Sequence, residues 1–167
     1  MDAQQPILWI HEEALGPSNP ALEDSPGAPA LFVFDSRWIR EQRISRKRLG
    51  FLYECALALP VSIRSGDVAT EVIGFARRHG ADGVITSEAV DPRLQGIAAA
   101  IDRELPVWLL ESEPFVRMPR PPRLGRFSRY WRDAEPIVWE GFRADQPDRD
   151  KPFGNRHGRP RVVAGDH

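Results

Sequence analysis

The sequence predicts an α/β domain of the doubly wound, Rossmann-like kind: a five-stranded, mostly parallel sheet with helices on both faces, followed by a Pro/Arg-rich C-terminal tail. Three observations predict it. Five short apolar runs recur at 7–10, 31–34, 61–63, 84–85 and 107–110; helical stretches lie between them, several opened by a capping residue; and the composition changes after residue 111. Strands alternating with helices in this rhythm make βαβ units, and such units build parallel sheets. The domain is expected over residues 6–111 and the tail over 112–167, linker-like and partly extended or disordered.

The first run, ILWI, is short, partly β-branched and bounded by polar residues, the pattern of a strand buried on both faces. Its exit through His11, Glu12 and Glu13 is polar, and Asn19 before Pro20 reads as a helix start. The asparagine side chain accepts from the free N–H groups of a first turn, and proline at the first helical position lacks only a donor that would be unpaired anyway. Residues 45–59 put Leu49, Leu52, Tyr53, Ala56 and Leu59 on one helical face and leave Arg46, Lys47, Arg48 and Glu54 for solvent. Asp67 reads as the cap of a helix carrying Val68, Val72, Phe75 and Ala76, which Gly80 stops. Asp91 and Pro92 repeat the cap-then-proline signal before Ile97, Ile101 and Leu105.

Length and composition set the outer bounds. The 167 residues suit one domain with a sizeable core plus a tail. The single cysteine, Cys55, excludes an internal disulfide and a cysteine-built zinc site, and reads as a small apolar residue on a helix. No apolar run approaches the roughly 18 residues that span a bilayer, so a soluble cytoplasmic protein without membrane contact is expected. The net charge of −1 names no partner, but it is unevenly placed. Residues 1–111 hold 11 basic and 16 acidic residues, whereas 112–167 hold 12 and 8, together with half of the 16 prolines.

Ligands of open α/β sheets bind beyond the carboxyl ends of the strands. That rule selects His11 and Glu12, Asp35 and Ser36, Ser65, Gly66 and Asp67, and Ser87 with Glu88. Each also has a quieter reading. His11 has no second histidine or cysteine nearby to make a metal site, which leaves a loop or cap role. Asp35 ends its strand in reach of a local bond to the backbone. Gly66 and Asp67 form a turn and a cap, or admit a phosphate-like group to a helix N-terminus. Walker A, GxGxxG and GxSxG motifs are absent.

In the tail, RMPRPPRLGRFSRYWR places Arg117, Arg120, Arg123, Arg126, Arg129 and Arg132 at every third position. A polyproline II helix has three residues per turn, so this spacing would align the arginines along one edge, and Pro119, Pro121 and Pro122 favour that conformation in the first half. The strip reads either as an anion or nucleic-acid contact, with Phe127, Tyr130 and Trp131 available to stack on bases, or as a solvated linker against the acidic domain.

ILWIHEEALGPSNPAL, residues 7–22, resembles without gaps the first strand and loop of the DNA photolyase and cryptochrome family, which commonly reads L-V-W-F-R-R-D-L-R-L-H-D-N-P-A-L. Trp9 and Asn19, Pro20, Ala21 and Leu22 match. ALFVFDS is similar to the family's second strand with its terminal aspartate, and RISRKRLGFLYECALAL to the helix that follows. SGDVATEVIGFARRHGADGVITSEAVDP resembles the G-D-P helix, the fourth strand and the acidic-proline start of the next helix. RFSRYWRD is similar to the F-T-P-F-W-R-like start of the interdomain linker, which extends the likeness over roughly residues 7–133.

The resemblance implies the family's N-terminal, antenna-type α/β domain standing alone, without the helical domain that holds FAD and receives a damaged base. Photolyase activity and catalytic FAD are therefore not expected. What it implies instead is a flavin, deazaflavin or nucleotide-like ligand, or a separately encoded flavin-domain or photolyase-like partner. The departures bear on this. The family's three loop arginines are here His11, Glu12 and Leu15, and its N-R-D-Y-E-P loop is Ser87, Glu88, Ala89, Val90, Asp91 and Pro92, so the aspartate and aromatic positions of an antenna loop are lost. A folate antenna lies between two domains in that family, and this sequence offers half of such a site.

Overall fold

The computed structural model describes residues 4–112, 116–121 and 125–144, with side chains to residue 140. The chain divides into two units, Met1–Glu113 and Pro114–His167.

In the first unit five strands form one parallel sheet: β1 (Pro6–Ile10), β2 (Ala30–Asp35), β3 (Ser62–Gly66), β4 (Gly83–Ser87) and β5 (Val107–Leu110), in the order β3-β2-β1-β4-β5. The central strand β1 pairs Leu8 with Ala30 of β2 and with Ile85 of β4. Alternation then sorts its side chains. Ile7 and Trp9 enter one core with Leu31, Val33 and Val84, while Leu8 and Ile10 enter another with Ala30 and Ile85. The expected strands all form, and β1 is buried on both faces. β3 starts one residue later than the apolar run and carries exposed Arg64 and Ser65, as suits the sheet's edge.

Helices cover both faces, and their starts follow the capping chemistry. Asn19 Oδ1 accepts from the N–H groups of Ala21 and Leu22 at the start of α1 (Pro20–Asp24). Ser45, Asp67 and Asp91 cap α3 (Arg46–Leu57), α4 (Val68–His79) and α5 (Pro92–Asp102) in the same way. Gly80 ends α4 in the left-handed region at φ 61°, where a side chain would be strained. Helices α4 and α5 bury Val72, Ile73, Phe75, Ala76, Leu94 and Ile101 against the first core. Each large apolar side chain so buried contributes about 1.5–3 kcal/mol. Helix α3 is the looser element. It buries Leu52 and Ala56, but Tyr53, which the sequence assigns to its inner face, is exposed. A short helix, α2 (Ser36–Glu41), follows β2 without burying any residue.

In the second unit, where a linker-like, partly extended run is expected, the chain forms the 18-residue helix α6 (Phe127–Ala144) around Pro136. Residues 145–167 of the expected tail lie outside the described residues.

Candidate functional site

The strand order reverses between β1 and β4, and the loops after β1, β2 and β4 meet there. Two different environments result on the two sides of β1.

Toward β2 the crevice is ionic. After β1 a single 3-10 turn, Glu12–Ala14, carries Glu12 to Arg93, in the first turn of α5. The Arg93 guanidinium donates to Glu12 Oε1 and, at 3.1 Å, to Asp35 Oδ2, while its Nε lies 3.6 Å from Asp91 Oδ2. The Trp38 ring, in α2, lies 4.5 Å from the same guanidinium. The arginine side chain is 22% exposed, and those of Glu12 and Asp35 are 15% exposed, so the cluster is largely shielded from water. Glu12 and Asp35 thus converge, and their charge is met by a guanidinium of the same chain.

The amide groups that open α5 are also engaged. Glu13 Oε2 accepts from Val90 N–H at 2.7 Å, its Oε1 from Asp91 N–H at 3.2 Å, and Asp91 Oδ1 accepts from Arg93 N–H at 2.8 Å. A helix N-terminus with free amides is a ready anion site. Here the chain's own carboxylates take that place.

The other positions on this side are similarly committed. Asp35 Oδ1 accepts from Arg37 and Trp38 N–H groups, each at 3.0 Å. The Ser36 and Ser65 hydroxyls are hydrogen-bonded to each other at 2.9 Å. Gly66 closes β3 beside Asp35, and a Cβ there would come within 3.1 Å of the Glu71 side chain. Asp67 Oδ1 accepts from the Thr70 N–H at 2.9 Å and from the Thr70 hydroxyl at 2.7 Å. Those two bonds, with a smaller contribution from Arg37, hold the Asp67 carboxyl below the usual carboxylate range.

Toward β5 the crevice is apolar. A cleft of about 380 Å³ lies between α5 and strands β1, β4 and β5, walled by Trp9, Leu94, Ala98, Val107 and Leu109. His11 also lines it and is 2% exposed. Its Nε2 is 3.0 Å from the Ser87 carbonyl oxygen. A carbonyl only accepts, so Nε2 carries the proton and Nδ1 of the neutral ring is an acceptor. Nδ1 is buried and has no partner. The neighbouring polar groups are occupied: Thr86 Oγ1 donates to the Trp9 carbonyl at 2.7 Å, and Gln95 Nε2 to the Ala89 carbonyl at 2.8 Å. Ser87 Oγ is also buried without a partner, though alternation puts it on the Ile85 face of the sheet. Two carboxylates also line the cleft, Glu88, whose N–H bonds the Leu110 carbonyl, and Asp102, whose Oδ1 accepts from the Val107 N–H.

Sequence reasoning did not find Glu13, Trp38, Arg93 or Gln95. Arg93 had a signal: a cation in the first turn of a helix opposes the macrodipole and so calls for nearby carboxylates. The others depend on which loops meet, which no local pattern encodes.

In the second unit, the arginine strip is not carried through as one polyproline edge. Residues 116–121, with Arg117 and Arg120, form no helix or strand, and Arg123 lies outside the described residues. Arg126 precedes α6, and Arg129 and Arg132 lie on it. On an α-helix every third residue steps about 60° around the axis, which ends the alignment. The exposed Phe127 ring stacks on Trp131 at 6.1 Å.

No protein-family model matches the chain, and no curated protein does. Among solved structures, the chain is similar to hypothetical protein MJ0577, at 15% identity and a TM-score of 0.43, over 65% of this chain and 96% of that one. No helix among the described residues is long and apolar enough to cross a membrane.

Proposed function

We propose that this is a photolyase-related, cytoplasmic α/β domain that does no catalysis itself and carries a flavin-, deazaflavin- or nucleotide-like small molecule at the C-terminal edge of its sheet. A separately encoded flavin-domain or photolyase-like partner would receive what it carries. The observation that supports this reading is the cleft beside the strand-order reversal, with Trp9 and His11 among the residues that line it. Trp9 also belongs to the stretch that resembles the photolyase family. Apolar clefts with a few convergent polar groups are the usual form of small-molecule sites, and this volume lies in their range of roughly 300–1,000 Å³.

The test is an absorption and fluorescence spectrum from about 300 to 500 nm of protein purified from its native host, with mass analysis of whatever denaturation releases. A bound flavin, deazaflavin or pterin is the expected result. Protein that is colourless, and stays so after incubation with those compounds, would overturn the carrier reading.

A second reading is supported by the exposed Arg126, Arg129 and Arg132 beside Phe127: a nucleic-acid or protein contact made through the second unit. Phosphate contacts release counterions, so binding would weaken steeply with salt. Changing Arg117, Arg120, Arg123, Arg126, Arg129 and Arg132 together to Gln is expected to abolish retention on DNA, and unchanged retention would remove this reading.

A further inference from the structure

Independently of the cleft, we infer that α3 is a self-association surface, through which two copies of this chain pair their α3 helices antiparallel about a two-fold axis. One exposed flank of that helix carries the pattern such a pairing needs.

Arg46, Gly50, Tyr53 and Leu57 follow one another at intervals of four, three and four residues, the spacing of a coiled-coil seam. At 3.6 residues per turn they share about 60° of the helix surface, beside the stripe on which Leu52 and Ala56 are buried. All four are exposed, Tyr53 by 46% and Leu57 by 55%. Gly50 is a poor helix former in mid-helix, and a Cβ there would meet nothing within 4 Å. Its own chain gives no packing reason for a glycine, whereas a second helix does, because the missing side chain lets an opposing ring approach the backbone. With the two-fold axis between Gly50 and Tyr53, the Tyr53 ring of each copy lies over Gly50 of the other, and Leu57 lies beside Arg46.

Charge selects a second copy as the occupant. Lys47 and Glu54 lie on the same side of the seam, seven residues apart, about two turns and too far for a pair within one helix. Among the described residues neither forms an ion pair. Two-fold symmetry brings like sides of antiparallel helices together, so Lys47 of each copy faces Glu54 of the other and the attraction occurs twice. Arg46, Lys47 and Arg48 also crowd the first turn of α3, where they oppose the helix dipole. An antiparallel partner offers them the carbonyl end of its own α3, and a parallel one would set cation against cation. Phe51, 66% exposed, lies on the other flank and stays outside the pairing.

The experiment is sedimentation of the full chain at up to about 0.5 mM, a range that reads a small interface, repeated with Lys47→Glu, Glu54→Lys, the two together, and Gly50→Gln, each checked for folding by circular dichroism. The expected result is a concentration-dependent dimer. Each single reversal sets like charges together at two places and should weaken the dimer about tenfold, while the double exchange should return it to within about threefold of the parent. Gly50→Gln meets nothing in its own chain and keeps the fold, but its side chain takes the place of the opposing Tyr53 ring and should leave a monomer. A chain that stays monomeric throughout the range overturns the inference, and retention of a polynucleotide by that monomer, lost in Lys47→Glu, would assign the basic turn to a polyanion instead. A dimer that Gly50→Gln leaves intact, or that the double exchange fails to restore, also overturns it, since the copies would then meet elsewhere. None of these outcomes bears on the spectrum that tests the carrier reading.

Discussion

The C-terminal edge of the sheet is finished in opposite ways on the two sides of β1. Toward β2, Glu12, Asp35 and Asp91 surround one guanidinium, and the amides of α5 and α2 are capped by carboxylates of the same chain. Toward β5, the wall is apolar and the buried His11 has an Nδ1 without a hydrogen bond. Charged residues at a crevice invite a functional reading, yet here they pair with one another and tie three loops together. Each half nevertheless keeps a buried nitrogen without a hydrogen bond, Arg93 Nε on the ionic side and His11 Nδ1 on the apolar side.

The largest expected effect tests the apolar half. Leu94 is 1% exposed and packs in the same core as Trp9, Ala98 and Ile101. Leu94→Ala is expected to cost about 2–5 kcal/mol in urea denaturation, as transfer and cavity terms add. A loss below about 1 kcal/mol would mean that the wall collapses into the gap, and the cleft would then not be a preformed one.

Next comes the ionic half. Removing the cation from a buried cluster leaves its carboxylates facing each other, so Arg93→Met is expected to cost about 2–3 kcal/mol, reduced from the fully buried case because the side chain is partly solvated. Adding Glu12→Gln and Asp35→Asn to that variant should return most of the loss, since well-packed neutral groups replace such clusters at little cost. If the triple variant is no more stable than Arg93→Met, the arginine acts through its stacking on Trp38 and not through charge.

A smaller effect sharpens the comparison. Glu13 is exposed and contributes through its bonds to the Val90 and Asp91 amides. Glu13→Ala should cost about 1 kcal/mol, in the range of a lost cap, and should free those amides for an external anion. Sulfate would then raise the melting temperature of the variant more than that of the parent chain. An equal response in both would show that the amides are not an anion position.

How much of this was legible in the sequence follows from how local each signal is. The strands and the caps at Asn19, Asp67 and Asp91 could be read because an apolar run or a side-chain oxygen two or three residues from its amide carries its own explanation. Helix α2 could not, because it buries nothing and so shows no apolar period. Helix α6 was hidden by Pro136 and by the three-residue arginine spacing, although Phe127, Tyr130, Trp131, Ala134, Ile137 and Val138 recur at helical intervals. Tyr53 has the right spacing for the inner face of α3, and spacing alone does not tell a buried stripe from a partly covered one. Of the selected site residues, His11 and Ser87 meet across the two central strands, and Glu12 meets Asp35 only through Arg93. Those meetings depend on strand order, which the sequence pattern leaves open.

The smallest expected effect concerns acid. The Thr70 bonds lower the Asp67 carboxyl below its unfolded value, so the unfolded chain takes up this proton at a higher pH than the folded one. The stability it contributes is therefore complete above the unfolded carboxylate value of about 4 and is lost as pH falls through the depressed folded value. Asp67→Asn keeps an acceptor for the Thr70 amide and cannot titrate there. Its urea midpoint should fall less between pH 6 and pH 3 than that of the parent chain, by an amount worth less than about 1 kcal/mol at so exposed a site. Identical acid limbs for Asp67→Asn and the parent would mean that the Thr70 bonds persist equally in the unfolded chain, and that the cap at the far end of the polar half contributes geometry without charge.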